Sequence, residues 1–150
     1  MLYADDNYYL LAWDAKEEKF KHFRVDKMDG VAQVLLGNIR VAREGAEAFA
    51  KLDMSAYTKY TFSMFGGEIE HVTMIFQNRM MGAVMDRFGR DVVVLKEDER
   101  HFRITVPVAV SQQFFGWVFS LGKTVRIAAP EAVREKMKAS LEEISKRYSE

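Results

Sequence analysis

The sequence predicts an α+β fold in which a strand-rich N-terminal part precedes a βαββαβ unit closed by a helix. Three observations carry this prediction. An aromatic run, Tyr8–Trp13, is followed across a short polar turn by Lys19–Met28, where apolar and polar residues alternate with the period of a strand. From residue 68 to 129, strand-like and helical segments follow in the order β-α-β-β-α-β, the ferredoxin-like pattern. After Pro130, apolar residues recur at helical spacing to the end of the chain.

Composition bounds the possibilities. A chain of 150 residues, 49% apolar and 13% aromatic, can bury a true core, which excludes a disordered class. Charge balances at 22 Lys/Arg against 22 Asp/Glu, and neither half is a basic block, so any nucleic-acid contact rests on a local patch. The absence of cysteine excludes disulfides, thiol catalysis and Cys-ligated zinc, and is compatible with a reducing cytoplasm. No apolar run approaches the roughly 18 residues of a membrane span. Asp5 and Asp6 replace the basic start of a signal peptide. A soluble, cytoplasmic protein with no membrane partner is expected.

Taken in order, Tyr8–Trp13 reads as a largely buried strand, and Ala15–Glu18 as a turn. Along Lys19–Met28, the residues Phe20, His22, Arg24, Asp26 and Met28 fall on one face, and Lys21, Phe23, Val25 and Lys27 on the other. Asp29-Gly30 favours a tight turn, after which Val31–Leu36 supplies a third strand. Glu44–Leu52 has helical composition. Asp53–Phe65 reads as a second helix, with Tyr57, Tyr60, Met64 and Phe65 on one stripe and Asp53 or Ser55 as N-cap. Gly66-Gly67 ends it and marks a domain boundary.

The remaining elements are more clearly punctuated. Glu68–Phe76 is a strand, and Asn78 caps a helix over Arg79–Phe88 with Met81, Val84, Met85 and Phe88 on its apolar side and Gly89 past its end. Val92–Lys96 and His101–Val110 are strands around the polar turn Glu97–Arg100, the second burying Phe102, Ile104, Val106 and Val108. Pro107 sits awkwardly in what should be a central strand, so a bulge or an early end is expected there. Ser111 caps a helix holding Phe114, Phe115, Trp117, Val118 and Leu121, which Gly122 ends. Thr124–Ala128 is the last strand. The final helix carries Val133, Met137, Leu141, Ile144 and Tyr148 on one side, with Glu142/Lys146 and Glu143/Arg147 as supporting pairs.

Few residues point to chemistry. His22, His71 and His101 each stand alone, without a second ligand at metal spacing, and are read as structural or surface residues. Glu97-Asp98-Glu99 is read as a solvated turn. No phosphate loop or nucleophile elbow is present, so no enzyme, cofactor or metal is expected. Trp117 with Phe114 and Phe115, and the nine methionines, are read as core filling rather than as a binding platform.

The stretch Lys19–Lys27 supports two readings. In the first, Arg24 offers a planar fork to a phosphate or carboxylate, Asp26 orients it, Lys21 and Lys27 add charge, and Tyr8 or Tyr9 stacks on a base. In the second, Arg24 and Asp26 pair on an exposed sheet face, a contact worth under about 1 kcal/mol.

Longer strings of residues carry a resemblance. Tyr8-Tyr9-Leu10, followed by His22-Phe23-Arg24-Val25-Asp26-Lys27-Met28, resembles the WYL-domain family of bacterial transcription regulators, with Tyr8 in place of the tryptophan that names it. Asp86-Arg87-Phe88-Gly89, Phe114-Phe115-Gly116-Trp117, Leu121-Gly122 and Pro130 resemble the WYL C-terminal extension. Tyr60–Gly67 resembles the connecting region of Firmicutes-type members.

The resemblance implies residues 1–43 as part of a WYL domain with Sm-like (SH3-like) barrel strands, 44–66 as linking helices, and 67–150 as the ferredoxin-like extension. It implies a homodimer or higher oligomer and an anionic effector, a nucleotide or single-stranded nucleic acid. The effector would be held by Tyr9, His22, Arg24, Asp26 and Lys27, with Arg24 as the anion contact, Tyr9 as a stacking or packing partner and Asp26 as an orienting group. It also implies promoter DNA read by an N-terminal winged helix-turn-helix. The chain starts close to the first family strand, so that head and the earlier barrel strands are expected to be missing. Three strands are too few to close a barrel. The effector and dimerisation part of a regulator is therefore expected, with a structural interaction module as the alternative.

Overall fold

The computed structural model describes residues 1–4, 6–30, 45–62 and 68–149. The α+β class holds, as two antiparallel sheets, one of three strands and one of four.

The N-terminal sheet has the order β1-β2-β3, with β1 at Leu2–Ala4, β2 at Asn7–Asp14 and β3 at Lys19–Arg24. The β2–β3 turn is set by the Asp14 carboxylate, which accepts from the backbone N–H groups of Lys16 at 2.9 Å and Glu17 at 3.2 Å. Cross-strand partners are Tyr9 and Arg24, Leu11 and His22, and Trp13 and Phe20. Alternation therefore packs Leu2, Tyr9, Leu11 and Phe20 against Phe49, Leu52 and Tyr57, and leaves Tyr3, Tyr8, Leu10 and Phe23 exposed on the opposite face.

Two sequence expectations change here. β1 adds a strand that the sequence reading did not include, pairing Leu2 with Tyr9. β3 stops at Arg24 instead of running to Met28, because Val25–Lys27 winds into a 3-10 turn closed by Met28 N–H donating to the Val25 carbonyl at 3.2 Å. Among the described residues the sheet remains open. The expected strand Val31–Leu36 and the Gly66-Gly67 boundary, with Met64 and Phe65, lie outside the described residues.

Helix α1 covers Ala46–Lys51 and α2 covers Met54–Tyr60. Gly45 precedes α1 with φ +70°, and a Cβ there would stand 2.3 Å from Trp13 Cγ, so the chain passes beneath the indole only as glycine. Helix α2 is shorter than the periodicity of Asp53–Phe65 suggested, since Thr61 and Phe62 leave it.

The second sheet has the order β5-β6-β4-β7, from β4 at Ile69–Gln77, β5 at Val94–Lys96, β6 at His101–Ala109 and β7 at Val125–Ala129. All its pairs are antiparallel, and this is the ferredoxin-like strand order. Helices α3 (Met81–Phe88) and α4 (Gln112–Ser120) supply Val84, Phe88, Phe114 and Val118 to a core built on Met74, Phe76, Ile104 and Val108. Trp117 packs against this core beside Phe62 and Phe88, as expected.

Pro107 needs neither a bulge nor an early strand end. Val110 N–H donates to the Glu68 carbonyl at 2.9 Å, and alternation from that pair makes Pro107 and His71 a non-hydrogen-bonded pair. The missing donor thus falls on the β5 side, where β5 pairs only with Phe102–Ile104 and stops short of it. Asn78 does not cap α3 either. Its side chain donates to the Glu99 carbonyl at 3.0 Å, while a 3-10 turn over Asn78–Met80 leads into the helix. Ser111 does cap α4, accepting from Phe114 N–H at 3.2 Å.

Helix α5, Glu131–Arg147, follows Pro130, whose carbonyl accepts from Val133 and Arg134. It buries Val133 and packs Met137, but Leu141, Ile144 and Tyr148 are exposed. Arg147 pairs with Glu143 at 3.1 Å.

Candidate functional site

The candidate site lies where β3 gives way to its 3-10 turn. Strand alternation sends Arg24 to the same sheet face as its partner Tyr9, and the turn swings Asp26 back beneath it. The result is a bidentate pair. Arg24 Nε donates to Asp26 Oδ1 at 3.0 Å, and Nη2 donates to Oδ2 at 2.8 Å. Each partner sets the other's titration: the Asp26 carboxylate raises the Arg24 pKa, and the Arg24 guanidinium lowers that of Asp26.

Both side chains remain accessible, at 35% for Arg24 and 57% for Asp26. The pair occupies two of the five guanidinium N–H donors, and the Nη1 edge has no partner among the described residues. Arg24 is therefore held in one orientation by Asp26 while keeping donors for an anion. Lys27 is exposed on the same turn.

The other expected contributors surround this pair in different ways, Tyr9 in the packing role rather than the stacking one. Tyr9 is 9% exposed and packs in the core with Leu2, Leu11 and Tyr57, so its ring face is not open for stacking. Tyr8 is 56% exposed, but it belongs to the opposite sheet face, beside Tyr3 at a ring separation of 5.0 Å. Lys21 adds no free charge, because it bridges Asp14 at 2.5 Å and Glu17 at 2.7 Å on the hairpin.

His22 is half-buried and stacks on Tyr57 with ring centroids 5.6 Å apart, and its Nε2 is buried without a hydrogen-bond partner among the described residues. Burial lowers its pKa, which favours the neutral ring. Tyr57, whose pKa is raised by burial, is the residue of this region that the sequence did not single out; its place on the α2 apolar stripe was visible, but not what it would meet.

Elsewhere, the Asp98 carboxylate accepts from the backbone N–H groups of Arg100 and His101 and contacts His101 Nδ1 at 2.9 Å, closing the β5–β6 turn. Among the described residues no group of three acidic or imidazole side chains is placed to hold a metal ion. Among the described residues no helix is long and apolar enough to cross a membrane.

Two known domain families match the chain. The WCX domain matches residues 68–145, and the WYL domain matches residues 1–33. No curated protein matches it. The WYL match covers β1 to β3 and the Arg24–Asp26 pair, and the WCX match covers the four-stranded sheet and most of α5.

Proposed function

The chain belongs to the WYL-domain transcriptional regulators, joining a WYL domain to a WCX domain, and on that footing we propose that its WYL part senses an anionic effector. The effector class is a nucleotide or a short single-stranded nucleic acid. The observation that carries this reading is the Arg24–Asp26 pair, a guanidinium fixed on one edge and, among the described residues, unoccupied on the other, beside exposed Lys27. A phosphate accepts well from such a preorganised fork. Tyr9 and His22 act behind it as packing that holds the β2–β3 pair in place. In this reading the protein is not an enzyme. It associates with copies of itself, and promoter DNA is read by a helix-turn-helix domain outside these 150 residues.

The test is fluorescence anisotropy with labelled single-stranded and duplex oligonucleotides over a salt series. Single-strand binding should weaken steeply with salt. Arg24→Ala should weaken it roughly 10-fold or more, given about 1.5–3 kcal/mol for a hydrogen bond to a charged group. Binding that Arg24→Ala leaves unchanged sinks the proposal. A second reading, an interaction module that senses nothing, is favoured by the apolar side chains left exposed at Leu10, Phe23, Leu141 and Ile144. It expects Arg24→Ala to be silent in every assay.

A further inference from the structure

A concavity lies in the C-terminal unit, far in sequence from Arg24. It is a groove of about 570 Å³ between α4, the edge strand β7 and α5, and its exposed lining is almost wholly apolar. Val118 and Ile127 are buried at 4% and 6%, while Phe119 and Leu141 are 66% and 38% exposed. That volume is typical of sites that take small molecules, which range over about 300–1,000 Å³.

The charged residues of the lining are all of one sign. Lys123, Arg126, Arg134 and Lys138 contribute to it, and no Asp or Glu does. Arg134 pairs with Glu131, but Lys123, Arg126 and Lys138 are exposed and make no ion pair among the described residues. The chain as a whole carries no net charge, so a lining with four cations and no carboxylate is a local concentration of one sign. Cationic residues that add little polar surface to an apolar wall contribute their methylene stems and keep their charged heads toward water.

We infer that this groove binds a single-chain amphiphilic anion, with its alkyl chain along Val118, Phe119, Met137 and Leu141 and its acidic head met by Lys123, Arg126 and Lys138. A second copy of the chain is the poorer occupant. A two-fold contact sets a patch against itself, which would oppose the same unpaired cations across the interface. The head group is a carboxylate or a phosphate, and the two are separated by experiment.

The full chain is titrated calorimetrically, below micelle formation, with decanoate, decyl phosphate, decyl glucoside and decyltrimethylammonium. One anion per chain should bind at least 10-fold more tightly than the neutral or cationic amphiphile. A lead for decanoate assigns a fatty-acid head, and a lead for decyl phosphate assigns a phosphate head. Lys123→Glu with Lys138→Glu, both at exposed positions, should weaken the anions at least 10-fold while circular dichroism and melting stay unchanged. Leu141→Glu should remove binding, and Leu95→Glu, on an exposed strand outside the groove, should not. Equal affinity for all four head groups overturns the inference, as does indifference to the lysine changes. So does a dimer, seen by sedimentation, that Leu141→Glu dissociates.

Discussion

The half-buried His22 ring stacks on Tyr57, and its burial gives it a folding-linked proton equilibrium. Its folded pKa lies below the ordinary value of 6.5, so the unfolded chain binds the proton more readily. The stability that the neutral ring provides is complete above pH 6.5 and is lost as the pH falls through the folded value. Denaturant melts between pH 7 and 5 should show this decline, and His22→Phe, which keeps a ring against Tyr57, should flatten it. An identical slope in the variant removes His22 as its source. The sequence placed His22 on the right strand face, but its burial depends on a residue from another element, which no local pattern reveals. Ser111, Gly89 and Gly122 were legible because a cap or a positive φ is decided by neighbours in the chain: Ser111 accepts from Phe114 N–H, and the two glycines have φ of 89° and 60°.

At the scale of elements, α4 begins where the Ser111 hydroxyl takes up an N–H that the helix cannot satisfy internally. Ser111→Ala should cost about 1 kcal/mol, read as a shift of the denaturation midpoint with an unchanged slope. A midpoint that does not move would show that water replaces the cap without loss. The strands of the second sheet could be read from sequence because each has one face on the core. Phe102, Ile104, Val106 and Val108 are all buried, and their alternation is unbroken. β3 was read too long because alternation of residue types continues through Val25–Lys27 while the backbone does not, and a 3-10 turn has no distinct hydrophobic signature over three residues. β1 was missed because three residues, Leu2–Ala4, are too short for any period to show. The Arg24–Asp26 contact survived this misreading, since the side chains are long enough to meet across the turn. The α4–α5 groove was not legible, because its residues come from α4, the 3-10 turn after it, β7 and α5, and only their assembly makes a concavity.

For the molecule as a whole, the segment Tyr57–Phe62 decides how the two units are joined. Tyr57 is buried in the N-terminal core and Phe62 in the C-terminal one. Arg87 fixes the junction by donating from Nη2 to the Thr61 carbonyl at 2.8 Å and by lying 3.9 Å over the Phe62 ring. Phe62→Ala removes a side chain that is 4% exposed and packs on Phe88, Phe114 and Trp117. It should cost about 3–5 kcal/mol and split one melting transition into two, resolved by calorimetry. A single transition that is merely lowered would mean that the units are coupled elsewhere.

With only four residues between Tyr57 and Phe62, this segment has little slack. Loosening either anchor releases the backbone that holds the other, so amide hydrogens along α2 should exchange with the protection of whichever core opens first. The less stable sheet would then set the exposure lifetime of the connecting helix, whatever the strength of the larger one.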